Sequence, residues 1–227
     1  YLGVACLDEA MALREGGIRS PILIMGYTDP ALTDKLIAHD ITQTLYSPEL
    51  ALAYSREALS CGGRLKVHIK LNSGMCRLGF DCRERERALE ELLPVLTLPG
   101  LEAEGIFTHF AVADEPESPF TREQFEIFSR FVQDLEEKSS RRFALKHCAN
   151  SAAVINYPQM ALDMVRTGLA LYGVSPCGEH PGLDLRPVMS VRAKVAQVTR
   201  INPGDTVSYG RAYTAREPRR IAVVTFG

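Results

Sequence analysis

Four basic side chains sit in runs that otherwise read as buried: Lys70 in VHIKL, His109 in GIFTHF, His147 in FALKHC and Arg166 in MVRTGLALYG. An arginine in such a run stays charged and needs partners. His109 and His147 are the candidates. A purely structural network accounts for the trio, and so does an arginine turned toward a heterocycle nitrogen. Lys70 and Arg77 flank a glycine-containing turn, KLNSGMCRLG. Two cations beside a ligand favour a phenolate or a carboxylate. Solvent-facing charge is the alternative, against which Lys70 stands in a buried-looking run. HCANSAAV at 147–154 puts Ser151 and its backbone N–H at a helix start, which suits a phosphate. A simple helix cap explains the same residues. Gly168 in RTGLALYG lets backbone N–H groups approach that phosphate, or serves tight strand packing. No HxH or HExxH spacing occurs, so no metal is expected. Together these residues suggest an anionic, electron-withdrawing ligand.

The elements that hold them alternate between strand and helix. Strands are expected at YLGVAC, PILIMG, ITQTLYS, RLKVHIKLN, LEAEGIFTHF, FALKHCANS and MVRTGLALYG. Asp8 reads as an N-cap, Gly16-Gly17 as a helix end, and Ser47-Pro48-Glu49 as a helix start. TREQFEIFSRFVQDLEEK is the clearest helix, with Phe125, Phe128, Val132 and Leu135 on one stripe. Seven strands with helices between them make an α/β fold around a mostly parallel sheet. Lys70, His109, Asn150, Ser151 and Arg166 fall at strand ends. In a TIM barrel those ends converge on one site. After Tyr172 the pattern changes. A Gly- and Pro-rich linker leads to VMSVRAKVAQVTRI, TVSYGRAYT and RRIAVVTF, with a tight turn at 202–205. The expected domains are 1–177, part of a TIM barrel, and 184–227, the opening of an all-β domain.

Lys+Arg 26 against Asp+Glu 28 gives a net charge of -2, too balanced for bulk nucleic-acid binding. The 6 cysteines form no CxxC pair and read as free thiols of a cytoplasmic protein. No run approaches a membrane span, and no signal peptide is visible. The chain opens at Tyr1 inside a strand and stops at Gly227 after another. Both ends read as cut.

YLGVACLDEAMALREGGI, VHIKLNSGMCRLGF, GIFTHFAVADE, HCANSAAV, DMVRTGLALYG and VSYGRAYTA occur here in one order. In that order they resemble the central part of bacterial alanine racemases, fold-type III enzymes dependent on pyridoxal 5'-phosphate. The resemblance implies strands two to eight of a (β/α)8 barrel and then the start of the β domain. It implies a cytoplasmic homodimer acting on a small amino acid and supplying D-alanine for peptidoglycan. Tyr209 resembles the base that removes the α-proton of the L-amino acid and reaches the opposite subunit's site. His109 resembles the histidine bonded to that tyrosine, Arg166 the arginine facing the pyridine nitrogen, and His147 the histidine supporting it. Arg77 resembles the arginine near the cofactor's phenolic oxygen and the substrate carboxylate. Lys70 resembles a lysine that is often carboxylated. Ser151, Gly168 and Leu169 align with the phosphate cradle, and Asn150 and Met75 with positions lining the site. The family's KAxAYGHG segment, with the lysine that bonds the cofactor, does not occur in these 227 residues. Asn72 and Ser73 stand where the family usually has Asp and Thr, and Cys76 beside Arg77 is assigned no catalytic role. A serine racemase of the same family, a non-catalytic cofactor-binding barrel and an inactive fragment are the alternatives. Tyr209 argues against the second.

Overall fold

The computed structural model describes residues 1–178 and 182–226, which divide into two compact units, Tyr1–Arg186 and Pro187–Gly227. In the first unit six strands lie side by side: β1 (Leu2–Val4), β2 (Ile22–Ile24), β3 (Ile41–Leu45), β4 (Leu65–Asn72), β6 (Leu101–Phe107) and β7 (Leu145–His147). Every neighbouring pair is parallel. The two-residue β5 (Phe80–Asp81) pairs with the end of β4. The connections are α1 (Leu7–Glu15), α2 (Thr33–Ala38), α3 (Pro48–Ser60), α4 (Arg85–Val95) and α5 (Phe120–Ser139).

The sheet is curled, and one hydrogen bond requires it. Tyr1, just before β1, donates its hydroxyl proton to Glu104 of β6 at 2.6 Å. Four strand steps separate β1 from β6. Laid flat they would span about 19 Å, far beyond one phenol. The unit is therefore an open half-barrel of the TIM type, as expected.

Alternation along β4 sets the layers. Leu65, Val67, Ile69 and Leu71 are fully buried in the two apolar clusters beneath the helices. Lys66, His68, Lys70 and Asn72 alternate with them and take the opposite, inner face. The register then sets Lys70 beside Phe107, and Phe107 beside His147. One strong helix stripe secures the outside: Phe128, Val132 and Leu135 of α5 are all buried.

Two expectations for this unit are corrected. Asp8 is not an N-cap: α1 begins at Leu7, Cys6 holds the N-cap position without a side-chain cap bond, and Asp8 and Glu9 fall in the first turn. There the Glu9 carboxylate accepts the Ala5 N–H at 2.7 Å. The strand expected over MVRTGLALYG shrinks to one parallel bridge, Asn150↔Arg166. The Arg166 N–H reaches the Ala149 carbonyl, but the next bonds are local, from the Gly168 N–H to Arg166 and from the Tyr172 N–H to Leu169. Gly168–Leu171 becomes a helical turn, α7, which follows α6 (Ser151–Asn156).

In the second unit β8 (Val195–Ile201) pairs antiparallel with β11 (Arg219–Val224). β9 (Thr206–Val207) pairs antiparallel with β10 (Tyr213–Thr214). The expected turn at 202–205 is present, with the Asp205 carboxylate accepting the Asn202 N–H at 2.7 Å. The strand expected from 188 starts only at Val195. All 6 cysteines are free. Among the described residues no helix is long and apolar enough to cross a membrane.

Candidate active site

Arg166 is the hub. Its Nη1 donates to His147 Nδ1 at 2.8 Å. Its Nη2 donates to the Thr108 carbonyl at 2.8 Å, to His109 Nδ1 at 3.1 Å and to the Cys148 carbonyl at 3.1 Å. Phe107 stacks on His147 with ring centroids 4.6 Å apart. The same ring lies 5.3 Å from the guanidinium carbon and 4.8 Å from Lys70 Nζ. A guanidinium carries five N–H groups and accepts nothing. Its Nε–H and one Nη1–H therefore have no protein acceptor among the described residues. Those two are the donors a ligand would meet.

Arg166 also fixes two protonation states. Because it always donates, His109 and His147 must accept through Nδ1, and each carries its proton on Nε2. Burial first, and then the Arg166 charge, push His147 down to about 2. Burial, Arg166, Lys70 and Arg77 push His109 down to about 3. Both imidazoles are neutral near pH 7. Lys70 makes no ion pair among the described residues, and burial, Arg166 and Arg77 lower it to about 7. Burial lowers Arg166 itself to about 10, which leaves it charged at neutral pH.

Around Lys70 and Arg77 the turn is held by Asn72 and Ser73, noted in the sequence, and by Thr108 and Gln124, which sequence reasoning passed over. Asn72 Oδ1 accepts the N–H of Gly74 at 3.1 Å and of Cys76 at 2.9 Å. An amide oxygen does this as well as a carboxylate, so losing the acid leaves the turn intact but leaves Lys70 without that negative neighbour. Thr108 Oγ1 donates to the Leu71 carbonyl at 3.1 Å, so Ser73 Oγ donates to Thr108 at 2.8 Å. Gln124 of α5, fully buried, accepts the Ala111 N–H at 2.9 Å and donates to the His109 carbonyl at 3.3 Å. Its side chain also lies against Gly74, where a Cβ would come within 2.8 Å of Phe120. One glutamine thus braces both loops. A polar residue inside an apolar helix stripe was the signal available for it.

His109, Asn150, Ser151, Arg166, Gly168 and Leu169 line a single cleft of about 350 Å³, with Asp114 on its wall. Asn150 is the helix cap: its Oδ1 accepts the Ala153 N–H at 2.9 Å. Ser151 Oγ accepts the Ala170 N–H at 3.2 Å, which ties α6 to α7. A Cβ on Gly168 would meet nothing within 4 Å, so tight packing does not explain that glycine. Met75 is half-buried nearby in sequence, and Arg77 is exposed. Tyr209 belongs to the second unit and is 99% exposed. Its loop is strained: Ser208 has φ 58 and ψ -168, and Arg211 has φ 49. Such conformations cost about 1–3 kcal/mol each and gather at functional positions.

Residues 1–176 match the family model described as alanine racemase, N-terminal domain. Residues 188–227 match that of the alanine racemase C-terminal domain. This chain belongs to the alanine racemase family. It is 42% identical over its whole length to an alanine racemase of Desulfosudis oleivorans, of which it covers 60%. Among solved structures it resembles alanine racemase from Bacillus anthracis with bound L-Ala-P, at 35% identity and TM-score 0.80, covering 100% of this chain and 58% of that one. It also resembles a histidine racemase from Leuconostoc mesenteroides, at 30% identity and TM-score 0.77, covering 98% of this chain and 59% of that one. The chain thus spans about 60% of the length of the relatives it matches.

Proposed function

We propose that the protein bearing this chain interconverts L- and D-alanine with pyridoxal 5'-phosphate, in the cytoplasm, as a homodimer. The observation that carries the reading is Arg166, held from one side with two N–H groups to spare, at the wall of a cleft that also contains Ser151 and Gly168. These residues fit the cofactor. The start of α6 at Ser151 and the open backbone of Gly168 and Leu169 suit a phosphate, and Arg166 suits a pyridine nitrogen. When bound, the cofactor draws electron density from the Cα of the attached amino acid.

The remaining chemistry belongs to side chains. Arg166 cannot hand its proton to the ring nitrogen, which keeps that nitrogen neutral. His109 carries its proton on Nε2 and so donates outward, a geometry that stabilises a phenolate. Tyr209, supplied by the partner subunit, is the base for the L-face. Its solvent exposure and strained loop support a residue placed for use outside its own unit. The opposite base is a lysine outside these 227 residues. Two bases on opposite faces make removal and return of the same proton possible from either side. Arg77 takes the substrate carboxylate, and Met75 and Asn150 line the pocket. Lys70, which has no acid partner among the described residues, is the residue for carboxylation, and the carbamate then orients Arg77. The barrel and β domains are bounded at 1–177 and 184–227. D-Alanine for peptidoglycan is the product.

The test is chiral chromatography of L-alanine, L-serine and L-histidine incubated with the protein encoded by the whole reading frame. Preferential formation of D-alanine supports the proposal. Turnover of serine or histidine alone refutes the substrate, and no turnover with cofactor bound refutes the activity.

A further inference from the structure

The hydrogen bonds leaving Arg166 do not stop at His147. Nε2 of His147 lies 2.9 Å from Nδ1 of His68, and the two rings pack with centroids 5.1 Å apart. His68 sits in the middle of β4 and is fully buried. Its ring occupies the space beside Gly105, where a Cβ would fall 2.7 Å from three ring atoms. The strand next to His68 therefore has to carry glycine at that register.

Counting protons gives one arrangement. Arg166 can only donate, so His147 accepts at Nδ1 and keeps its proton on Nε2. That proton can go only to His68 Nδ1, so His68 keeps its own on Nε2. This last N–H has no partner among the described residues. An apolar ring of similar size would fill the volume without burying an unpartnered donor, which is costly. The imidazole is therefore retained for what Nδ1 accepts.

We propose that His68 is a positioning residue, the neutral acceptor that ends a one-way hydrogen-bond chain Arg166→His147→His68 and so fixes the guanidinium at the cleft. The chain moves no proton, because every donor in it is committed by the charge at its head. Only the purpose of this chain rests on the cofactor reading above. Its protonation pattern does not, so the two fail separately.

The experiment uses the protein encoded by the whole reading frame, labelled with ¹⁵N-histidine, with long-range ¹H–¹⁵N correlation spectra at neutral pH. His68 and His147 are expected as neutral rings protonated at Nε2 and bare at Nδ1. A proton on Nδ1 of either ring, or an imidazolium, overturns the proposal. Two variants separate positioning from packing. His68→Asn places an amide oxygen near the former Nδ1 and keeps an acceptor, whereas His68→Leu keeps bulk and removes it. Solvent exchange of the His147 Nε2–H should stay slow in the first and accelerate about tenfold or more in the second. Equal exchange in His68→Leu and the parent chain overturns the proposal. If His68→Leu does not fold, His68→Asn decides: slow exchange supports the acceptor role, and fast exchange rejects it.

Discussion

Replacing Arg166 with methionine keeps much of the side-chain length and removes every donor. Four acceptors lose their partner: the carbonyls of Thr108 and Cys148 and the Nδ1 atoms of His109 and His147. A stranded buried acceptor costs about 1–3 kcal/mol, so simple addition gives about 4–12 kcal/mol. Removing the guanidinium also removes its own desolvation, which offsets several kcal/mol. The expected net loss is about 3–5 kcal/mol, a large share of a domain's stability. Urea unfolding followed by near-ultraviolet circular dichroism suits a chain with Tyr 8 and Trp 0. The histidines report independently. Arg166 is second to burial in depressing both His109 and His147, so both should rise in the variant while staying below an exposed histidine. A loss under about 1 kcal/mol with unmoved histidine titrations would refute Arg166 as the hub, because four satisfied acceptors cannot be that cheap to abandon.

Lys70, lowered to about 7, binds fewer protons folded than unfolded, so its contribution to stability rises with pH from about 7 toward the ordinary lysine value and is absent below. The same neutral amine should add carbon dioxide as a carbamate with release of one proton; ¹³C-bicarbonate should give a carbamate resonance in the parent and none in Lys70→Arg. Burial pushes the Glu136 carboxyl up, but the bonds it accepts from the Phe143 N–H at 2.9 Å and Arg142 at 2.7 Å, with Lys146 beside it, outweigh that and hold it below the usual glutamate range. Its contribution is therefore present at neutral pH and lost as pH falls through the folded value, and Glu136→Gln should cost about 1–3 kcal/mol at pH 7 and progressively less in acid, read by unfolding at several pH values. Gln124→Met should cost about 1–3 kcal/mol through two lost bonds and speed hydrogen exchange at the Ala111 amide, with no change at that amide counting against its bracing role.

Alternation and punctuation made most of the half-barrel legible. RLKVHIKLN carries its two faces in plain view, and Ser47-Pro48 caps α3 as read, with Ser47 Oγ accepting the Leu50 N–H at 3.3 Å. The failure at MVRTGLALYG has a clear origin. Its apolar composition suits a strand, but a ladder needs a neighbour, and past Arg166 the backbone bonds locally instead. At the site, Arg166, His109 and His147 stood out as polar residues in apolar runs, and they meet. His68 carried the same signal, in the same strand as Lys70, and was passed over because its partner lies 79 positions away. Gln124 was hidden by the regularity of the helix around it. Side chains whose work is to hold other side chains leave little trace in motifs.

Tyr209 is proposed as the base for one face only. Tyr209→Phe, made in the protein encoded by the whole reading frame, removes one hydroxyl and almost no volume. A phenol with an ordinary value near 10 is a poor base, and neighbouring positive charge is what improves it. The direct measurement is α-hydrogen exchange into deuterated water, followed separately for L- and D-alanine with the cofactor bound. Exchange from L-alanine should fall by about two orders of magnitude or more while exchange from D-alanine persists better. Unchanged exchange from L-alanine, or an equal fall for both enantiomers, would contradict Tyr209 as the L-face base.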